Sequence, residues 1–301
     1  MSTSMPLDPE ICFTTERPRL VGLAYRLLGS ISDAEDVVQE AWVRWNRADH
    51  PSIENPAAWL TTVTSRLGLD RLRARQRDRA VYVGPWLPEP LVSFDDQPAA
   101  AAELSDSLTT AFLVMMENLA PTERLVLLLA DVFQQPFAVV AEVVAKSQDA
   151  TRQIAVRARR KVRSNHDIRV VSADEQLAAA NKFVAALLGG NQAALRELLS
   201  TDAVLTSDGG ADHHAARRPV VGPDRIARFL TNLAKRAMQF EPGRMQLQSG
   251  WVNHAPGLIA TVDGQPTWVS TFDMRDGQID RLYLMVNPDK LSSVEHPTDL
   301  V

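Results

Sequence analysis

Six basic side chains crowd the stretch SQDATRQIAVRARRKVR between Ser147 and Arg163: Arg152, Arg157, Arg159, Arg160, Lys161 and Arg163 against a single acid, Asp149. A second cluster lies upstream, where Arg66, Arg71, Arg73, Arg75, Arg77 and Arg79 are offset only by Asp70 and Asp78. A guanidinium grips a phosphate through two parallel N–H groups, so arginines repeated along one helix suit a polyanionic backbone. The chain as a whole is acidic, with 37 Asp and Glu against 32 Lys and Arg. Charge is felt locally rather than as a sum, so this segregation points to surfaces with different partners. A third cluster has the opposite sign: Asp33, Asp36 and Glu40 fall at i, i+3 and i+7, one carboxylate stripe on a helix.

These groups need elements to position them. Ser32 followed by Glu35 reads as a capping box that starts a helix. Ala34, Val37, Val38, Ala41, Trp42 and Trp45 give that helix its core face. Asn55 and Pro56 open the next helix as cap and first residue, with Trp59, Leu60, Val63 and Leu67 inward. On it, Arg66, Arg73 and Arg77 make one stripe, and Arg71, Arg75 and Arg79 another. A solvated face with local ion pairs is the alternative, and the scarcity of acids on the helix argues against it. The polar loop Asn46 to Asn55 joins the two helices. Pro85, Pro88, Pro90 and Pro98 then preclude a long helix, yet Trp86 and Leu87 are too apolar for a free tether and should dock.

Helical periodicity returns from Ser107. Pro121 breaks it, and Pro136 opens a short helix that buries Val140, Ala141 and Val144. After the turn AKSQ, Ser147 caps a last helix whose Ile154, Ala158 and Val162 face inward. A short apolar helix, a tight turn and a basic second helix form a helix-turn-helix. Arg152 and Gln153 stand where base edges are read, and Arg157, Arg159, Arg160 and Arg163 where phosphates are held. A basic helix in an ordinary bundle is the competing reading.

The 301 residues are enough for two or three domains. No apolar run is long enough to span a bilayer, and the first residues lack a secretory pattern, which points to a cytoplasmic protein and no membrane partner. Cys12 is the only cysteine, so it reads as a small apolar residue rather than a disulfide half.

The order of these parts resembles the extracytoplasmic-function sigma factors. YRLLGSISDAEDVVQEAWVRW and NPAAWLTTVTSRLGLDRLRARQRDR are similar to sigma region two, and LAPTERLVLLLADVFQQPFAVVAEVVAKSQDATRQIAVRARRKVR to region four. The resemblance implies that Asp33, Asp36, Val37 and Glu40 contact core RNA polymerase. It implies minus-ten binding by Asn46, Asn55, Arg66, Arg71, Arg73, Arg75 and Arg77, with the loop from Asn46 to Asn55 holding a flipped base. Arg152, Gln153, Arg157, Arg159, Arg160 and Arg163 would bind the minus-thirty-five element. The implied partners are the clamp and flap regions of polymerase and promoter DNA.

Residues beyond Ser172 exceed a minimal sigma factor. Two helices, a strand, the helix PDRIARFLTNLAKRA and four strand-like runs suggest an α+β cone with a pocket on a curved antiparallel sheet. This part resembles the SnoaL-like, nuclear-transport-factor-like domains. Sigma factors with such a domain carry motifs like WLPEP at Trp86 to Pro90 and NPDKL at Asn287 to Leu291. Their third motif, Asp-Gly-Gly-Gly-Lys, is DGGAD here, from Asp208 to Asp212, with a Gly and the Lys missing. The resemblance implies a regulatory contact involving Trp86, Leu87, Pro88, Asp208, Asn287, Pro288, Asp289 and Lys290. It also makes a separate anti-sigma protein unnecessary and leaves room for a small ligand in the cone.

The expected fold is therefore multidomain: two all-α sigma domains, a helical bundle and a helix-turn-helix, followed by an α+β SnoaL-like cone. The expected boundaries are 8–80 for region two, 81–106 for the linker, 107–165 for region four, 172–291 for the cone and 292–301 for a tail. Asp208, His213, His214 and Asp263 are acid–base candidates by residue type alone. Neighbouring strand residues point oppositely, so His213 and His214 do not form a shared metal site. No catalytic residue, metal or cofactor is expected. A ligand-sensing helix-turn-helix regulator is the alternative function, and a pocket enzyme fused to a DNA-binding part is a third; the acidic stripe and the first arginine cluster would have no task in the regulator.

Overall fold

The computed structural model describes residues 8–78, 82–93, 109–165, 171–211, 215–240 and 244–295. Arg79, Asp212, His213, His214 and the tail beyond 295 lie outside these residues, as does the side chain of Arg77. The chain forms two compact units. One joins Met1–Ala80 to Met115–Asn165, and the other joins Val81–Val114 to His166–Thr298. The linker thus groups with the C-terminal part, and the two helical parts group with each other.

The first unit opens with α1, Pro9–Leu28, capped by the Asp8 carboxylate and ended by Gly29 in the left-handed conformation at φ 67°. Helix α2, Ile31–Asn46, starts from Ser30, whose hydroxyl accepts from the Asp33 amide at 3.3 Å. The expected cap at Ser32 is therefore two residues late: the Ser30 hydroxyl reaches the N3 amide and Ser32 already lies in the first turn. Helix α3, Pro56–Asp78, begins as expected, with Asn55 Oδ1 accepting from the Ala58 amide at 3.0 Å. Leu20, Leu27, Leu28, Val38, Trp45, Leu60 and Leu72 are almost wholly buried and make its core. Trp45 also orders the loop: its ring packs 4.4 Å from His50 and 5.4 Å from Trp59, and its carbonyl meets His50 Nε2 at 2.9 Å.

After α4, Thr110–Met116, come α5, Pro121–Leu127, and a π-helical turn, Leu128–Val132. Helix α6, Phe137–Val143, buries Val140, Ala141 and Val143. Helix α7, Gln148–Asn165, begins where Ser147 Oγ accepts from the Ala150 amide at 3.2 Å. Arg124 joins the halves of this unit: its guanidinium donates to the Leu27 carbonyl at 2.9 Å and to Glu117 at 2.7 Å. Burial lowers its pKa to about 9, which leaves it charged at neutral pH and answered by Glu117.

In the second unit, β1, Val92–Ser93, follows the proline-rich strap. Helices α8, Ala173–Leu188, and α9, Gln192–Leu198, are capped by Ser172 and Asn191. Strands β2, Leu199–Asp208, and β3, Val220–Val221, precede α10, Pro223–Phe240. Then follow β4, Met245–Val252, β5, Ala255–Val262, β6, Gln265–Arg275, β7, Gln278–Met285, and the short helix α11, Pro288–Leu291. The sheet order is β1-β4-β5-β6-β7-β2-β3. The four expected strands, β4 to β7, pair antiparallel in chain order, and β2 joins them parallel to β7. One helix and four strands separate them, so the crossover a parallel pair requires is available.

Side chains alternate across this sheet and give it two covered faces. Leu258, Phe272, Leu282 and Leu284 pack under α8, α9 and α10 through Phe183, Leu195 and Ile226. Ile259, Val269, Tyr283 and Met285 face the other way and are covered by Leu87 and Val92 of the strap, with Leu291 and Val294.

Candidate nucleic-acid interface and the docked strap

Helix α7 separates its residues cleanly. Ile154, Ala155 and Ala158 are buried, while Arg152, Gln153, Arg157, Arg160 and Arg163 are exposed. Arg152 is held by Asp149 at 3.1 Å and its guanidinium lies 5.6 Å from the Phe137 ring centre, beside the turn. Arg159 departs from the expected phosphate row, because Asp131 binds it in a two-point pair at 2.5 and 2.8 Å. That hydrogen bonding raises its pKa. Lys161 pairs with Glu123 at 2.7 Å.

Helix α3 looks different from its sequence. Arg71 and Arg75 both reach Asp33 of α2, at 2.7 and 2.6 Å. The hydrogen bond to Asp33 raises the Arg71 pKa. Asp33 is 8% exposed, so the expected exposed stripe Asp33, Asp36, Glu40 loses its first member to an interhelical ion pair. Val37 is buried as well, at 5%. Asp36 remains at the surface, and Glu40 is exposed beside Arg44 at 2.6 Å. Arg66 donates to the Glu142 carbonyl at 2.9 Å and the Val143 carbonyl at 3.4 Å, answering the C-terminal carbonyls of α6. The expectation that these arginines lacked partners fails because the partners come from other helices, which spacing within one helix does not reveal. Arg73 is exposed near Asp70 at 3.3 Å, and Asn46 and Asn55 are exposed at the loop ends.

The strap is fixed by a buried charged knot within the second unit. Asp208, fully buried, ends β2 and accepts four hydrogen bonds. Oδ1 takes the Tyr82 hydroxyl at 2.5 Å and the Gly210 amide at 3.1 Å. Oδ2 takes the Leu87 amide at 2.8 Å and Lys290 Nζ at 2.7 Å. Lys290 Nζ also donates to the Leu87 carbonyl at 2.5 Å and sits 4.0 Å from the Trp86 ring centre, a cation–π contact. Asn287 caps α11 by accepting from the Asp289 amide at 3.1 Å, while its Nδ2 donates to the Tyr82 hydroxyl at 3.1 Å. Pro288 opens that helix. The ion pair tolerates burial because its remaining donors and lone pairs are engaged. Gly210, at φ 64°, is needed here: a Cβ would meet Asn287 Nδ2 at 2.9 Å. The departure from the family loop falls after Gly210, at Ala211 and Asp212, so the contacts made by Asp208 and Gly210 are unaffected.

Trp86, Leu87, Asp208, Asn287 and Lys290 thus converge, and Pro88 lies beside them against the sheet. Two participants went unseen in the sequence. Tyr82 precedes the motif, and burial followed by its hydrogen bond to Asp208 raises its pKa. Asn253, wholly buried, exchanges two hydrogen bonds with the Leu91 backbone at 2.7 and 2.8 Å. Asn253 sits in the β4–β5 hairpin at φ 50°, a left-handed conformation that Asn tolerates better than most residues. Of the acid–base candidates, Asp208 is consumed by the knot, and Asp263 sits exposed in the β5–β6 turn paired with Arg244. Among the described residues no helix is long and apolar enough to cross a membrane, and no cluster of metal-ligating side chains occurs.

Residues 12–78 match the sigma-70 region 2 family. The chain is 37% identical over 293 residues to the ECF RNA polymerase sigma factor SigJ of Mycobacterium tuberculosis, covering 93% of this chain and 92% of that one. It is 30% identical over 289 residues to the probable ECF sigma factor SigI of the same organism, covering 94% and 95%. The crystal structure of M. tuberculosis SigJ superposes with a TM-score of 0.74 at 36% identity, over 96% of this chain and 99% of that one. The likeness runs through nearly the whole of both chains, helical parts and α+β domain alike, and the chain belongs to the extracytoplasmic-function sigma factors.

Proposed function

We propose that this sigma factor binds core RNA polymerase and directs it to specific promoters, and that its own SnoaL-like domain sets this activity through the docked strap. The observation that carries the promoter reading is α7, where three buried residues anchor a helix that turns Arg152, Gln153, Arg157, Arg160 and Arg163 to solvent. Helix α7 enters the major groove at the minus-thirty-five element, with Arg152 and Gln153 over bases and Arg157, Arg160 and Arg163 on phosphates. Asp36 and Glu40 supply the polymerase-facing acids; Asp33 and Val37 support them from beneath. The loop from Asn46 to Asn55, with Arg73, takes the melted minus-ten strand, and Arg66, Arg71 and Arg75 shape that surface from their paired positions.

Regulation is carried by the knot. Trp86 and Leu87 lie in the segment joining the two sigma regions in sequence, and Asp208, Asn287 and Lys290 hold that segment on the SnoaL-like domain. Docking shortens the free length of the inter-region segment, and so restricts how regions two and four are presented to promoter and polymerase. This built-in restraint takes the place of a separate anti-sigma protein. The SnoaL-like domain has no catalytic task in this reading, since Asp208 is fully hydrogen-bonded. The protein acts in the cytoplasm, where polymerase and promoter meet. Promoter-directed transcription with purified bacterial core polymerase tests the account. Wild type gives a specific transcript, Arg157→Ala with Arg160→Ala loses it, and Asp208→Ala changes its yield; an unchanged yield in Asp208→Ala contradicts the regulatory half.

A further inference from the structure

On the strap-covered face of the sheet lies a shallow opening, part of it open to solvent. Leu87, Pro88 and Pro90 of the strap line it with Thr110 of α4, opposite Val252, Val269, Thr271, Tyr283 and Met285 of the sheet. The lining is apolar apart from hydroxyls. The Tyr283 hydroxyl meets Asp273 at 3.1 Å. Thr271, its cross-strand neighbour, is 5% exposed, and its Oγ1 has no hydrogen-bond partner among the described residues.

The strap residues that line the opening offer that hydroxyl no free backbone N–H. Pro88 and Pro90 carry no N–H. The amides of Leu87 and Leu91 are engaged by Asp208 and Asn253. The strap therefore matches the apolar part of the site and leaves a buried polar group unsatisfied, which is unfavourable in an apolar setting. An occupant with the same apolar bulk and one hydrogen-bonding group fits the site better than the strap does.

We propose that this face is a binding site for a small uncharged molecule with an apolar body and a single hydroxyl or carbonyl, which pairs with Thr271 and displaces Leu87 and its flanking prolines. Among the described residues no charged side chain lines the opening, so an ionic ligand would be desolvated without compensation. With the strap in place the opening has room for no more than about one water molecule, so a ligand enters only on strap release. Ligand binding and strap docking are then mutually exclusive, and each weakens the other by the same factor. The inference rests on the strap contact of the proposed function but not on its effect on transcription.

The test uses the full chain without polymerase. 4-Fluorophenol is titrated by fluorine NMR beside fluorobenzene, which has the same ring and no hydroxyl. The phenol should bind about two- to tenfold more tightly, the worth of one hydrogen bond. It should also accelerate hydrogen exchange at the Leu87 amide. Thr271→Val, nearly isosteric, should abolish the difference between the probes and slow Leu87 exchange when no probe is present. Thr271→Ser, which keeps the hydroxyl, should preserve the difference. Absence of binding, equal binding of the two probes, a difference that survives in Thr271→Val, or Leu87 exchange indifferent to the phenol would each overturn the proposal. Strap docking itself is read by Leu87 exchange alone, so the ligand site can fail while the strap account stands.

Discussion

On helix α7, Arg157, Arg160 and Arg163 keep their charge in solvent, whereas at the knot Asp208 and Lys290 keep theirs in the interior with 0% and 8% of the side chain exposed. The first arrangement contributes little to folding, because exposed charges are well solvated and weakly coupled. Its charge is available to a partner. The second is costly to assemble and more costly to break, since removing one ion leaves the other buried and alone. It fixes where one particular segment sits. Charge on a surface recruits, and charge in the interior restrains.

Lys290→Met is the strongest challenge to that contrast. It should lower the opening free energy of the strap by about 3–5 kcal/mol, read from hydrogen exchange at the Leu87 amide. Asp208→Leu combined with Lys290→Met should cost less than Lys290→Met alone, because no orphan charge remains. If the single and double variants behave alike, the ion pair is not what holds the strap.

Asp33→Ala comes next and separates a buried acid from its exposed neighbours. Losing the partner of Arg71 and Arg75 should destabilise the first unit by about 1–3 kcal/mol in urea unfolding. Asp36→Lys with Glu40→Lys should stay within about 0.5 kcal/mol of wild type and instead weaken core polymerase binding. Equal loss of stability in both would place all three acids in one structural role.

A smaller effect is expected from pH. The folded-state pKa of Tyr82 is raised, chiefly by burial and then by the Asp208 hydrogen bond. Its contribution to docking is then complete below the ordinary tyrosine value of about 10 and is lost as pH rises above it. Leu87 exchange in wild type should show this loss beyond its change in Tyr82→Phe; parallel curves for the two proteins would refute it. At the surface, Arg157→Ala with Arg160→Ala should leave stability unchanged. Promoter binding should weaken, with the slope of log affinity against log salt reduced by about two.

How much of this could be read beforehand depended on whether a residue's partner was near it in sequence. Helix α7 was legible because its buried Ile154 and Ala158 and its exposed arginines follow from the 3.6-residue period alone. The caps at Asn55 and Ser147 were legible for the same reason. The Asp33 pair with Arg71 and Arg75 was not, because it links α2 to α3 and spacing along one helix is silent about the next. Arg66 was misjudged for that reason too. The knot was anticipated only where motifs resembled a family; Tyr82 and Asn253 carry no motif, and their roles appear once the strap and sheet are together. The parallel pairing of β2 with β7 followed from topology, which strand patterns do not encode.

In the function proposed above, the exposed arginines of α7 bring this sigma factor to promoter DNA. The most direct measurement is run-off transcription from the protein's own upstream promoter region, using purified bacterial core polymerase with wild type and with the Arg157→Ala, Arg160→Ala variant. The account predicts a specific transcript from wild type and its loss in the variant, which still folds and still binds core. DNA binding by wild type with no core binding and no transcript would contradict it.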